Sequence, residues 1–97
     1  MESEERIMDF KQEEGRIWLD DPQGQMIAEV TFPRNEDGTV TITHTFVDDS
    51  LRGQGVAGQL MKLVAEHLRQ NGRKAHLTCP YARGWFPKHP EYGDVLA

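Results

Sequence analysis

The sequence predicts an α+β domain in which a mixed, mostly antiparallel β-sheet has one long helix crossing to a parallel strand, followed by a short C-terminal helix. Three observations carry this. The first half of the chain breaks into short β-rich runs separated by turn signals. Between Val56 and Leu68 the apolar residues switch to helical spacing. One more β-rich run follows, and strands joined by a helical crossover run parallel.

The elements follow in order. Ile7 to Lys11 alternates loosely and is a weak first strand, and Glu13-Glu14-Gly15 turns the chain into Arg16 to Leu19. Asp20-Asp21-Pro22-Gln23-Gly24 is a strong turn, since proline presets one backbone angle and glycine accepts positive φ. Met26 to Phe32 is the next strand, closed by Pro33, and Asn35-Glu36-Asp37-Gly38 is another hairpin signal. Thr39 to Val47 is the most β-branched stretch and reads as one long fourth strand. In the helix, Val56, Leu60, Leu63, Val64, His67 and Leu68 share a face, and Asn71-Gly72 supplies the stop. Ala75 to Cys79 is the parallel strand. Pro80 suits the first turn of a short helix over about Tyr81 to Pro87. The tail from His89 to Leu96 is expected to be irregular or a short last strand.

Ninety-seven residues make one domain, 1–97, with the acidic Met1 to Glu5 expected to fray. That acidic start has no apolar core, so no secretory signal is expected there, and no apolar run reaches membrane-spanning length. The lone Cys79 can form no internal disulfide, which points to a reducing cytoplasm. A net charge of −5 argues against a nucleic-acid platform and suits a cationic acceptor. The expected state is a monomer or weak homodimer.

The informative segment is Asp48 to Gln59. Gly53, Gly55 and Gly58 crowd the start of the helix, no acidic residue occupies its first turn, and Arg52 stands beside it. An interior glycine costs about 0.5–1 kcal/mol relative to alanine. A cation at a helix N-terminus is unfavourable unless an anion also binds. Bare amides, missing side chains and an arginine together describe a phosphate cradle. The competing reading is close packing of helix on sheet with a solvated arginine. Gly53-Gln54-Gly55-Val56-Ala57-Gly58 matches the dinucleotide fingerprint, but Asp48 to Arg52 separate it from its strand, and Cys79-Pro80 stands where an acidic ribose ligand belongs. A Walker loop fails because Gln59-Leu60 follows Gly58.

A third pattern fits. Arg52-Gly53-Gln54-Gly55-Val56-Ala57 resembles the Q/R-x-x-G-x-G/A pyrophosphate loop of GCN5-related N-acetyltransferases. His44-Thr45-x-Val47-Asp48, Cys79-Pro80-Tyr81-Ala82 and His89-Pro90-Glu91-Tyr92 extend the likeness to a subfamily of unusually small members, over roughly Phe10 to Val95. The resemblance implies the fold of that family and acetyl-coenzyme A as co-substrate. It also implies a primary-amine acceptor, such as a protein lysine or a polyamine. The backbone of Phe46 and Val47 would pair with the pantetheine amides. Arg52 and the amides of Gly53, Gln54, Gly55, Val56, Ala57 and Gly58 would hold the pyrophosphate. Pro80 and Tyr81 would flank the thiol end.

Cys79 matches the position of a cysteine that small family members carry near the acetyl group. A thiol between a strand and a helix start is open to thiolate formation, so it can accept an acyl group or simply line the site. His44 could take a proton from Cys79 or from the incoming ammonium. The residue between Thr45 and Val47 is often acidic in the subfamily, and here it is Phe46, which removes a carboxylate base. Larger relatives place helices between the first two strands, and the Glu13-Glu14-Gly15 turn leaves no room for them. His67, Trp18, Trp85 and Phe86 read as structural. His76 and His89 lack partners at metal spacing, so no metal is expected. A non-catalytic coenzyme A-binding module shares every one of these signals.

Overall fold

The computed structural model describes residues 9–97. The expectations for Met1 to Glu5, and for Ile7 and Met8 in the first strand, lie outside these residues. Residues 9–97 form six strands and two α-helices, one strand more than the sequence predicts, in the predicted order of strands, long helix, strand and short helix. In chain order they are β1 Lys11–Glu13, β2 Arg16–Asp20, β3 Met26–Thr31, β4 Val40–Ile42, β5 His44–Val47, α1 Val56–Asn71, β6 Ala75–Leu77 and α2 Pro80–Trp85. Single 3-10 turns cover Asp49–Leu51 and Phe86–Lys88, and a longer one covers Pro90–Val95.

β1, β2, β3 and β5 form an antiparallel sheet in that order, and β4 pairs with β6 in parallel. Glu13 pairs with Arg16, so only Glu14 and Gly15 turn the first hairpin. Gly15 has φ +79° there, and its carbonyl accepts the Phe32 N–H at 2.8 Å.

The predicted fourth strand, Thr39 to Val47, is two strands. Val40 and Ile42 are buried, then Thr43 and His44 are exposed in succession, and Thr45 and Val47 turn inward instead. One residue out of step reverses which side chains meet the core. The Thr43 N–H reaches the Thr31 carbonyl at 3.0 Å, drawing the chain onto β3 and away from β6.

The core lies between the sheets and α1. Ile17 and Leu19 of β2 and Ala28 and Val30 of β3 face Val56, Leu60, Met61, Val64, Ala65 and Leu68 of the helix. The predicted helix face is therefore turned slightly: Leu63 is exposed, and Met61 and Ala65 are buried in its place. His67 is half-buried, its ring edge-on to Phe32 and its Nδ1 2.7 Å from Gln12 Nε2. Gly72 ends α1 in the left-handed conformation, its N–H shared by the Arg69 and Leu68 carbonyls. The tail folds as the 3-10 turn over Pro90–Val95, after which Leu96 makes an isolated parallel bridge to Ala75.

Candidate active site

The start of α1 is unprotected. Gly55 caps it at φ +74° with no side-chain hydrogen bond, and the first turn holds no acidic residue. Gly53 also has a positive φ, +83°, so the loop needs glycine at both places. An α-helix leaves its first amides without internal acceptors. Here Val56, Ala57 and Gly58 occupy those positions, and the first intrahelical bond of the turn runs from the Gln59 N–H to the Gly55 carbonyl. Upstream, the Gln54 N–H is used locally by the Leu51 carbonyl at 3.2 Å. Arg52 is largely exposed and ion-paired with Asp49, also exposed. Exposed pairs of this kind hold weakly, so the guanidinium is available to a stronger anion.

The second feature is a fork between strands. β5 ends the antiparallel sheet, so its outer edge carries backbone groups without a strand partner. On the other side β6 stops at Leu77, and the N–H groups of Thr78 and Cys79 both converge on the Ile42 carbonyl at 3.1 and 3.0 Å. Beyond that point β5 follows β3 while the other chain enters α2.

Cys79 sits at the crotch of the fork, only 3% exposed, as the N-cap of α2 with Pro80 in its first turn. Its Sγ lies 3.3 Å from Thr45 Oγ1, and either can donate. Sequence reasoning did not single out Thr45. No local signal marks it, because its place depends on the reversal at Thr43: an unbroken alternation would have put His44 and Phe46 in the core beside Ile42. Cross-strand partners share a face, so Thr45, opposite Val30, stands on the core side, and His44, opposite Thr31, stands on the other side with Phe46. His44 and Cys79 are thus separated by the sheet, and the thiol's hydrogen-bond partner is Thr45. Phe46 is 37% exposed.

Beside the fork, Pro80, Tyr81, Gly84, Trp85 and Lys88 line a shallow cavity of about 240 Å³. Burial pushes the Tyr81 phenol above its ordinary pKa, so it remains a neutral donor through the physiological range. A larger open groove of about 510 Å³ lies by the β1–β2 turn and the end of α1, with Gln12, Arg34, His67 and Arg73 among its walls. None of the predicted site residues lines it. Among the described residues no group of three or more His, Cys, Asp or Glu is placed to hold a metal ion.

An unprotected helix start, a glycine loop and a strand fork are what the resemblance to the GCN5-related family implies. The model of that family, described as GCN5-related N-acetyl-transferase, matches residues 9–95. The chain belongs to the GCN5-related N-acetyltransferase family. The solution structure of a GCN5-like candidate N-acetyltransferase from Staphylococcus aureus is 36% identical, with TM-score 0.76 over 93% of this chain and 88% of that one. Protein NATD1 of Xenopus tropicalis is 38% identical over 52 residues, covering 54% of this chain and 48% of NATD1. The match thus spans about half the length of that curated relative. A candidate acyl-CoA N-acyltransferase from Klebsiella pneumoniae, 18% identical with TM-score 0.57 over 78% of this chain and 54% of that one, shares the fold. The small acetyltransferase domain expected from the loop and the Cys-Pro segment is therefore the one found.

Proposed function

We propose that this domain transfers an acetyl group from acetyl-coenzyme A to a primary amine by direct attack of the amine nitrogen on the thioester carbonyl. The observation that carries the reading is the helix start of α1, bare of caps and acids, opening beside a strand edge without a partner. Helix N-termini favour anions through exposed N–H groups and the helix dipole. The amides of Gly53 and of Gly55 to Gly58, joined by Arg52, suit the pyrophosphate, whereas the Gln54 N–H is taken by the Leu51 carbonyl. The outer edge at Phe46 and Val47 suits the pantetheine amides, laid down like an added strand. Pro80 and Tyr81 then border the thioester, close to the Cys79–Thr45 pair.

As the nitrogen–carbon bond forms and the carbon–sulfur bond breaks, one proton leaves nitrogen and one must reach the departing sulfur. Cys79, hydrogen-bonded to Thr45, supplies the proton for sulfur. His44, on the far face of β5, is on the side from which an acceptor can approach without crossing the core, and receives the proton from nitrogen directly or through water. Holding amine and thioester in contact supplies much of the acceleration.

The acceptor is a protein lysine or a small polyamine, in keeping with the acidic balance. The two-residue β1–β2 turn makes the acceptor surface shallow. The test is mass spectrometry of candidate amines incubated with acetyl-coenzyme A and the protein. An acetylated amine is the expected product. An acetyl mass on Cys79 that chases into amine would replace direct attack by a cysteine relay. Tight binding of coenzyme A with no amine turned over would make the domain a binding module.

A further inference from the structure

We propose that the indole N–H of Trp85 is a ligand-binding donor, aimed through a notch at Gly58 toward an acceptor oxygen in the pantetheine–pyrophosphate chain of the cofactor. The inference rests on the reading that the start of α1 takes an acyl-coenzyme A.

The ring of Trp85 is buried, with 7% of the residue exposed. It stacks on His89 at 3.8 Å with planes 12° apart, lies 5.8 Å from Tyr92, and meets Phe86 edge-on at 5.0 Å. His89 is itself fixed, its Nδ1 2.9 Å from the Trp85 carbonyl. A ring held on so many sides cannot re-aim its N–H. Buried tryptophans ordinarily give that N–H a partner. Even the half-buried Trp18 does so, donating to Asp20 Oδ2 at 3.4 Å. Trp85 Nε1 has no hydrogen-bond partner among the described residues. Every fully enclosed side-chain nitrogen and oxygen there is paired, so this N–H looks out through an opening.

Gly58 makes the opening. A Cβ built on it would lie 3.5 Å from Trp85 Nε1 and 3.7 Å from Tyr81 Oη, which are ordinary contact distances. Its φ is not positive, and it lies in the first turn of α1, where alanine is the better helix former. Neither backbone geometry nor packing of α1 on α2 therefore calls for glycine. What the missing methyl leaves is a notch where an indole N–H, a phenol O–H and the unpaired Gly58 amide converge. Three donors, of which only the phenol can also accept, describe a place for oxygen atoms of a ligand.

The experiment is a nitrogen-15 NMR titration of the protein with coenzyme A, following its two indole N–H signals, with Trp18→Phe used to assign them. The Trp85 signal is expected to move downfield while that of Trp18 stays. Gly58→Ala should keep or raise Tm and weaken coenzyme A binding about tenfold, and Trp85→Phe should weaken it by a similar factor, the worth of one hydrogen bond to a charged group. A Trp85 signal that stays put in wild-type protein saturated with coenzyme A overturns this inference alone. Failure of the wild type to bind coenzyme A overturns the functional reading and this inference with it.

Discussion

The Thr45 hydroxyl and the Cys79 sulfur, 34 residues apart in the chain, meet at 3.3 Å where β5 and the chain leaving β6 part company. If that pair delivers the proton to the leaving thiolate, the two obvious replacements of Cys79 must differ. Cys79→Ser keeps a hydroxyl in the same place and should retain kcat within about tenfold. Cys79→Ala removes the donor and should lose about a hundredfold, in the range for general acid catalysis. Both variants are measured for kcat with acetyl-coenzyme A and for Tm, because Cys79 is buried and the alanine leaves a small cavity. Wild-type turnover by the alanine variant would remove Cys79 from the chemistry.

Gly55 tests the loop's backbone. Nothing stands within 4 Å of a Cβ placed there, so Gly55→Ala meets no clash, but φ +74° disfavours any L side chain. The left-handed conformation costs roughly 1–2 kcal/mol for alanine. In a domain of this size, each kcal/mol lowers Tm by about 4–8 °C. The expected outcome is a lower Tm without ligand and a smaller rise on adding coenzyme A, since a shifted cap re-aims the amides behind it. Thermal melts with and without coenzyme A give both numbers.

Arg52 and Asp49 make a paired test. Their contact is solvated on both sides, so neither Arg52→Ala nor Asp49→Asn should move Tm appreciably. Their effects on coenzyme A should be opposite in sign. Arg52→Ala removes a phosphate partner and raises Kd, with a weaker dependence on salt. Asp49→Asn frees the arginine and lowers Kd. Calorimetric titration at two salt concentrations separates them, and equal changes in the same direction would take Arg52 out of the site.

The features legible in the sequence are local ones. Gly72 announces the end of α1 because only a left-handed residue closes that turn, and Gly53 and Gly55 announce the loop for the same reason. The apolar spacing of α1 gives its burial to within a small rotation, exchanging Leu63 for Met61 and Ala65. The reversal at Thr43 was not legible, because a strand of Thr, Val and Ile reads identically on either face until its neighbours choose. From that one residue follow the separation of His44 from Cys79 and the approach of Thr45. The meeting of Trp85 with Gly58 is likewise a product of how α2 crosses α1, and nothing in either local sequence specifies it.

Acid should loosen the C-terminal turn. Arg69 grips Asp94 through both carboxylate oxygens at 2.6 and 2.9 Å and also donates to the Glu91 carbonyl, tying the last turn to α1. The hydrogen bond from Arg69, followed by its charge, holds the Asp94 carboxyl below the ordinary carboxylate range. Glu14 beside Arg34, Asp37 capping Thr39 and Asp48 capping Ser50 are lowered as well. A depressed pKa means that the folded state binds the proton less well than the unfolded chain. The stabilisation is therefore complete above the unfolded value near 4 and is lost as pH falls through the folded one. Tm should be flat from neutral pH to about 5 and then decline. Asp94→Asn should lower the plateau and flatten the decline, because one proton-linked group has been removed. A decline of unchanged depth in Asp94→Asn would assign the acid sensitivity to the three remaining carboxylates.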